Sequence, residues 1–118
     1  MCGIGGIINI NNSKIDPEIA NSIKTSLEHR GPDNSSIKHI SESVSFIHTR
    51  LAIIDIDERS NQPFHSEDMR YWMVFNGEIY NYKEIRTDLE VQGYKFKTSG
   101  DTEVLLKGFI HYKEKILN

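Results

Sequence analysis

Cysteine is all but missing from this chain. Cys2 is the single one, so no internal disulfide framework can form. Long apolar runs are missing too. None approaches the ~20 residues a helix needs to cross a bilayer, and no membrane span is expected. Charge of one sign is not in excess: 14 Lys+Arg stand against 17 Asp+Glu, a net charge of −3. That balance lacks the basic footprint of a nucleic-acid binder. Metal-ligand spacings are lacking as well. There is no Cys-x-x-Cys or His-Glu-x-x-His, and His29, His39, His48, His65 and His111 follow no ligand pattern, so no metal site is expected. The start, MCGIGGIININNS, has no charged n-region, and Asn9, Asn11 and Asn12 break its apolar stretch. No secretory signal is expected, and a soluble cytoplasmic protein is the default.

What is present fits one modest domain. Apolar residues make up 37% and charged residues 26% of 118, too apolar for a disordered tail. Residues 2–9 are apolar and glycine-rich, which predicts a buried strand. Asp16-Pro17 reads as an N-cap followed by a first-turn proline. Ile19, Ile23 and Leu27 then give a helical stripe, which Gly31-Pro32 stops. Strands are expected at 44–48, 51–55 and 71–75, with a loop over 57–68. Tyr82, Ile85 and Leu89 predict a helix closed by Gly93, and residues 94–97 a further strand. A terminal helix follows from Asp101 through Leu105, Phe109, Tyr112 and Ile116. The element order is β-α-β-β-β-α-β-α, a mixed layered protein. Trp72 and the tyrosines sit at strand or helical spacing and read as core.

Several residues carry possible chemistry, each beside a plainer reading. Cys2 follows the initiator Met1. Loss of Met1 would place a thiol and a free α-amine in one residue. An amine with a pKa of about 7.7–8.0 is a ready base for a thiol. The plainer reading is a start-codon neighbour with no role. Asn76-Gly77 is either a hairpin turn or an oxyanion hole built from a side-chain amide and a backbone N–H. Arg50 is either a strand residue or a bidentate clamp on a carboxylate. Glu78 and Asp101 are candidate acceptors for an ammonium group, or else a turn carboxylate and a helix N-cap. In His29-Arg-Gly-Pro-Asp33 a helix stop and an Asx-turn suffice, with no chemistry required.

The order of these signals is specific where each alone is weak. Cys-Gly-Ile at 2–4, His-Arg-Gly-Pro-Asp at 29–33 and Arg-Leu-Ala-Ile-Ile-Asp at 50–55 come first. Gln-Pro at 62–63, Phe-Asn-Gly-Glu-Ile-Tyr-Asn at 75–81 and Ser-Gly-Asp-Thr-Glu-Val at 99–104 follow. Together they resemble the glutaminase domain of class II glutamine amidotransferases, of the glutamine-hydrolysing asparagine synthetase type. The resemblance runs over essentially the whole chain.

That resemblance implies an α+β fold, the four-layer αββα sandwich of N-terminal-nucleophile hydrolases, C-terminally truncated at residue 118. It implies Cys2 as nucleophile with its freed α-amine as base, and Asn76 and Gly77 as the oxyanion hole. Arg50 would bind the glutamine α-carboxylate. Glu78 and Asp101 would hold its α-ammonium, with the carbonyls of Ile53 and Ile54 nearby. No cofactor is implied for this step. ATP and magnesium are expected only in a synthetase domain, the implied partner, which lies outside these residues. Residues 1–118 would cover a little over half of the glutaminase domain, so unpaired sheet edges and self-association into a homo-oligomer are expected. Two other readings stay open: a glutaminase serving a different acceptor, and a silent fragment that binds glutamine or a partner.

Overall fold

The computed structural model describes residues 1–52 and 58–117. Three antiparallel strands form its main sheet: β1 (Gly3–Ile8), β2 (Asn34–His39) and β3 (Val44–Arg50), in the order β1-β3-β2. The register sets Gly3 opposite Thr49 on one side of β3 and Asn34 opposite Arg50 on the other. Period-2 alternation decides the faces. Ile47 points to helix α1 (Pro17–Leu27), where Ile15, Ala20 and Ile47 form the buried core with Ile7, Ile23, Leu27 and Ile37 against it. Asp16 caps α1 by accepting from the Glu18 N–H at 2.8 Å, with Pro17 in the first turn.

A second ladder is short: β4 (Phe64–His65) pairs antiparallel with β5 (Trp72–Met73). Helix α2 (Tyr82–Val91) packs on helix α3 (Asp101–Tyr112), and α3 reaches β4. Gly93 ends α2 with φ +94°, a left-handed conformation that suits glycine. No helix among the described residues is long and apolar enough to cross a membrane.

The result is a small α+β fold, and it corrects several expectations. β1 is an edge strand buried on one face only, since Ile4 and Ile8 are exposed on the other. The buried stripe of α1 runs through Ala20, Ile23 and Leu27, while Ile19 is exposed. A small alanine lets the helix lie close over Ile47 and turns the face by one residue. β3 continues to Arg50, and Leu51 and Ala52 are not strand; the remainder of the expected 51–55 strand lies outside the described residues. β2 was not expected, because Ser35, Ser36 and Lys38 hide its pattern; the open edge of β3 supplies its partners. Within 71–75 only Trp72–Met73 pair, and their partner β4 falls in the expected loop.

Residues 94–97 form no strand. The Lys97 and Thr98 N–H groups donate to the Glu103 carboxylate at 2.7–3.1 Å, so a side chain takes the place of a neighbouring strand. Burial alone would push the Glu103 carboxyl up. The Lys107 ammonium and the Thr98 and Lys97 donors outweigh it and hold the group below the usual range. The exposed residue Tyr80 likewise departs from the core role expected of the tyrosines.

Candidate active site

The active-site candidates begin where β1 meets β3. Cys2 immediately precedes β1, and the ladder that opposes Gly3 to Thr49 brings it beside the end of β3. The Leu51 N–H donates to Cys2 Sγ at 3.4 Å, and the thiol faces the Leu51 carbonyl at 3.7 Å. Arg30 Nε donates to the Cys2 carbonyl at 3.2 Å. The Thr49 hydroxyl donates to the Leu27 carbonyl at 2.9 Å and accepts from the Gly3 N–H at 3.2 Å, tying helix to strand behind the cysteine.

The His29–Asp33 segment earns its place structurally. The Asp33 N–H donates to the Arg50 carbonyl, and the Asp33 carboxylate accepts from the Ala52 N–H at 2.7 Å. It therefore braces the chain after Arg50 across the sheet, rather than closing a local Asx-turn. Gly31 is needed for this approach: a Cβ there would stand 2.4 Å from the Thr49 carbonyl.

Arg50 is 7% exposed, and its Nη1 donates to Asn61 Oδ1 at 2.8 Å. A guanidinium this enclosed is oriented by the protein before any ligand arrives. His48 lies two residues earlier on the same face of β3, fully buried, its ring facing the Phe75 backbone with no hydrogen bond of normal geometry to either nitrogen among the described residues. Burial lowers its pKa from 6.5 to about 4; the Phe75 backbone opposes this and the Arg50 cation adds to it.

The opposite side of the site comes from residues 75–80 and from α3. Asn76-Gly77 closes no hairpin, since β5 ends at Met73 and the chain runs on into α2. Gly100, not Asp101, occupies the N-cap of α3. Asp101 is the first helical residue, 7% exposed, and its Oδ2 accepts from the Ile79 N–H at 3.0 Å. That bond fastens the 76–80 segment to the start of α3.

One cleft of about 280 Å³ gathers these parts. Cys2, Arg50, Asn76, Gly77, Glu78 and Asp101 all line it, together with Met1, Ser60, Gln62, Phe75, Tyr80 and Thr102 among others. Its size is at the lower end of small-molecule clefts, roughly 300–1,000 Å³. One cation comes from β3 and two carboxylates from the side of Glu78 and Asp101. Ile53 and Ile54 lie outside the described residues. Sequence reasoning gave no role to Gln62, Asn61 or Thr49. Gln62 stands in the Gln-Pro pair at 62–63, which marks the resemblance without indicating a role, and Asn61 and Thr49 are polar residues that no spacing rule distinguishes from surface positions. Among the described residues no cluster of three or more His, Cys, Asp or Glu could hold a metal ion.

The glutamine amidotransferase domain family matches residues 1–118, the full chain. The chain belongs to that family. Among its relatives is asparagine synthetase (glutamine-hydrolysing) 1 of Bacillus subtilis, 45% identical over 118 residues, covering 98% of this chain and 18% of that protein. Asparagine synthetase 2 of the same organism is 38% identical, covering 98% of this chain and 15% of that one. Asparagine synthetase 3 is 34% identical, with 97% and 19% covered. The chain thus spans less than a fifth of the length of these relatives. In this amidotransferase domain the six described candidates come from the residue before β1, from β3, the 76–78 segment and α3, and meet in one cleft.

Proposed function

We propose that this domain hydrolyses glutamine to glutamate and ammonia, with Cys2 as nucleophile. The observation that carries the reading is the cleft itself, which collects Cys2, a buried Arg50, Asn76-Gly77 and two carboxylates from four separate segments. A glutamine zwitterion complements it. Its α-carboxylate pairs with the Arg50 fork, and its α-ammonium with Glu78 and the second oxygen of Asp101. Its side-chain amide then points toward Cys2.

The chemistry follows from those placements. Removal of Met1, which lines the cleft, frees the Cys2 α-amine. The amine takes the thiol proton, and the thiolate attacks the amide carbon. Negative charge moves to the amide oxygen, where the Asn76 side chain and the Gly77 N–H donate to it. As the tetrahedral species collapses, the protonated amine returns its proton to the departing nitrogen and ammonia leaves. Water, deprotonated by the amine, then cleaves the thioester, releasing glutamate and restoring the thiol. No metal or cofactor enters these steps. The names of the relatives point to asparagine synthesis as the use of the ammonia, with ATP and magnesium acting in a synthetase domain. The finer architecture that suits this chemistry is the four-layer nucleophile-hydrolase sandwich.

The test is intact-mass analysis before and after treatment with a diazo-ketone glutamine analogue, alongside glutamate release from glutamine. Loss of Met1 with one adduct, missing in Cys2→Ala, is expected. Processed protein that neither takes the label nor releases glutamate would overturn the reading. Transfer of amide ¹⁵N from glutamine to aspartate in the intact protein distinguishes asparagine synthesis from service to another acceptor.

A further inference from the structure

We propose that Gln62 is a positioning residue for the oxyanion-stabilising pair Asn76–Gly77; the proposal rests on the glutaminase reading above. Gln62 is 7% exposed and lines the same cleft. Its side-chain amide makes two bonds to one residue. The Phe75 N–H donates to Gln62 Oε1 at 2.5 Å, and Gln62 Nε2 donates to the Phe75 carbonyl at 3.2 Å. This is the two-bond pattern of an antiparallel strand pair, supplied by a side chain. A strand does not supply it, because the β4–β5 ladder stops at Met73.

The clamp is itself anchored. The Ser36 hydroxyl, on β2, donates to the Gln62 carbonyl. Position therefore passes from the main sheet through Ser36 and Gln62 to the Phe75 peptide units, and from there to Asn76. Gly77 follows the same residue, for its Cα lies against the Phe75 ring, where an added Cβ would stand 2.8 Å from Cζ. Both donors of the proposed oxyanion hole are thus set by the orientation of Phe75. Asn76 and Gly77 are otherwise exposed and outside any ladder. Such donors act on the transition state more than on bound glutamine, and a misplacement of about 1 Å costs up to roughly 10² in rate.

Two substitutions separate the clamp from mere packing. Gln62→Leu keeps the size and removes both bonds. Gln62→Glu keeps the acceptor, but its carboxylate cannot donate to the Phe75 carbonyl. A protonated carboxyl regains one donor and one acceptor. In the intact protein, both variants are expected to lose roughly 10–100-fold in kcat for glutamine hydrolysis with KM within about twofold. The ratio of Gln62→Glu to wild-type activity should rise as pH falls from 8 to 5.5. Arg50, Glu78, Asp101, the Cys2 thiol and its freed α-amine share the cleft, and His48 faces Phe75 from β3. Gln62→Leu, which has the same neighbours and no titratable group at 62, is the control, and its ratio to wild type should stay flat over that range. A raised KM with kcat intact, or a pH-independent ratio for Gln62→Glu, overturns the proposal. Amide exchange read by NMR gives an activity-free measure: faster exchange at Phe75, Asn76 and Gly77 in Gln62→Leu, with Ile47 unmoved. Unchanged exchange there overturns the proposal even where wild-type hydrolysis fails and the glutaminase reading falls on its own.

Discussion

The two walls of the cleft are held in different ways. Cys2 and Arg50 sit at the ends of β1 and β3, where a continuous ladder and the α1 core fix the backbone. Asn76, Gly77 and Glu78 belong to no ladder. Among the described residues, their segment is held by two borrowed side chains, Gln62 at Phe75 and Asp101 at Ile79. The nucleophile's wall is thus built from secondary structure, and the oxyanion wall from individual hydrogen bonds. Each such bond contributes only about 0.5–1.5 kcal/mol, or about 1.5–3 kcal/mol where a charge takes part, so the second wall is the easier to displace.

The largest effect is expected from removing the oxyanion wall's own donor. Asn76→Ala should lower kcat for glutamine about 10²–10³-fold. KM should change little, and unfolding free energy should stay within about 0.5 kcal/mol, because Asn76 is exposed. Steady-state kinetics and denaturant unfolding check both parts. A stability loss larger than the catalytic one would erase the distinction between the walls.

The same division explains what the sequence revealed. Elements made by local periodicity were legible: β1, α1, α2 and α3 lie where apolar spacing, Asp16-Pro17 and Gly93 place them. Elements made by partners were not. β2 is polar and exists because β3 offers an edge, and the strand expected at 94–97 does not form, the Glu103 carboxylate taking the Lys97 and Thr98 N–H groups instead. At the site, residue types with a chemical reason were legible, and Cys2, Arg50, Asn76, Gly77, Glu78 and Asp101 do share one cleft. Gln62 was visible only as part of the Gln-Pro pair and its role was not, since an amide that mimics a strand has no pattern in one dimension.

His48 tests the seam between the walls. Its folded pKa is lowered to about 4 from 6.5. Above pH 6.5 the ring is neutral in both states and its contribution is fully present. As pH falls from 6.5 toward 4, the unfolded chain takes up a proton that the buried ring refuses, and stability declines by up to about 3 kcal/mol. Below about 4 the loss levels off. Unfolding free energies of wild type and His48→Gln across pH 4–7 should therefore converge at the acid end. Parallel curves would mean that His48 does not carry this loss.

Arg50 supplies the smallest and most discriminating test, because it joins the two walls. Its backbone belongs to β3, yet its guanidinium is held by Asn61, outside the ladder. Arg50→Lys keeps the charge and loses the fork, and a compact ammonium cannot clamp a carboxylate through two parallel bonds. Losing one charge-assisted hydrogen bond of about 1.5–3 kcal/mol corresponds to a roughly 10–100-fold rise in KM for glutamine. The chemical step should hold, since the clamped group does not react. If Asn61→Ala reproduces a fraction of that KM rise with kcat unchanged, the guanidinium needs its neighbour as much as its strand. If Asn61→Ala leaves KM untouched, Asn61 is not what orients Arg50, and this wall withstands the loss of a single side-chain bond where the other does not.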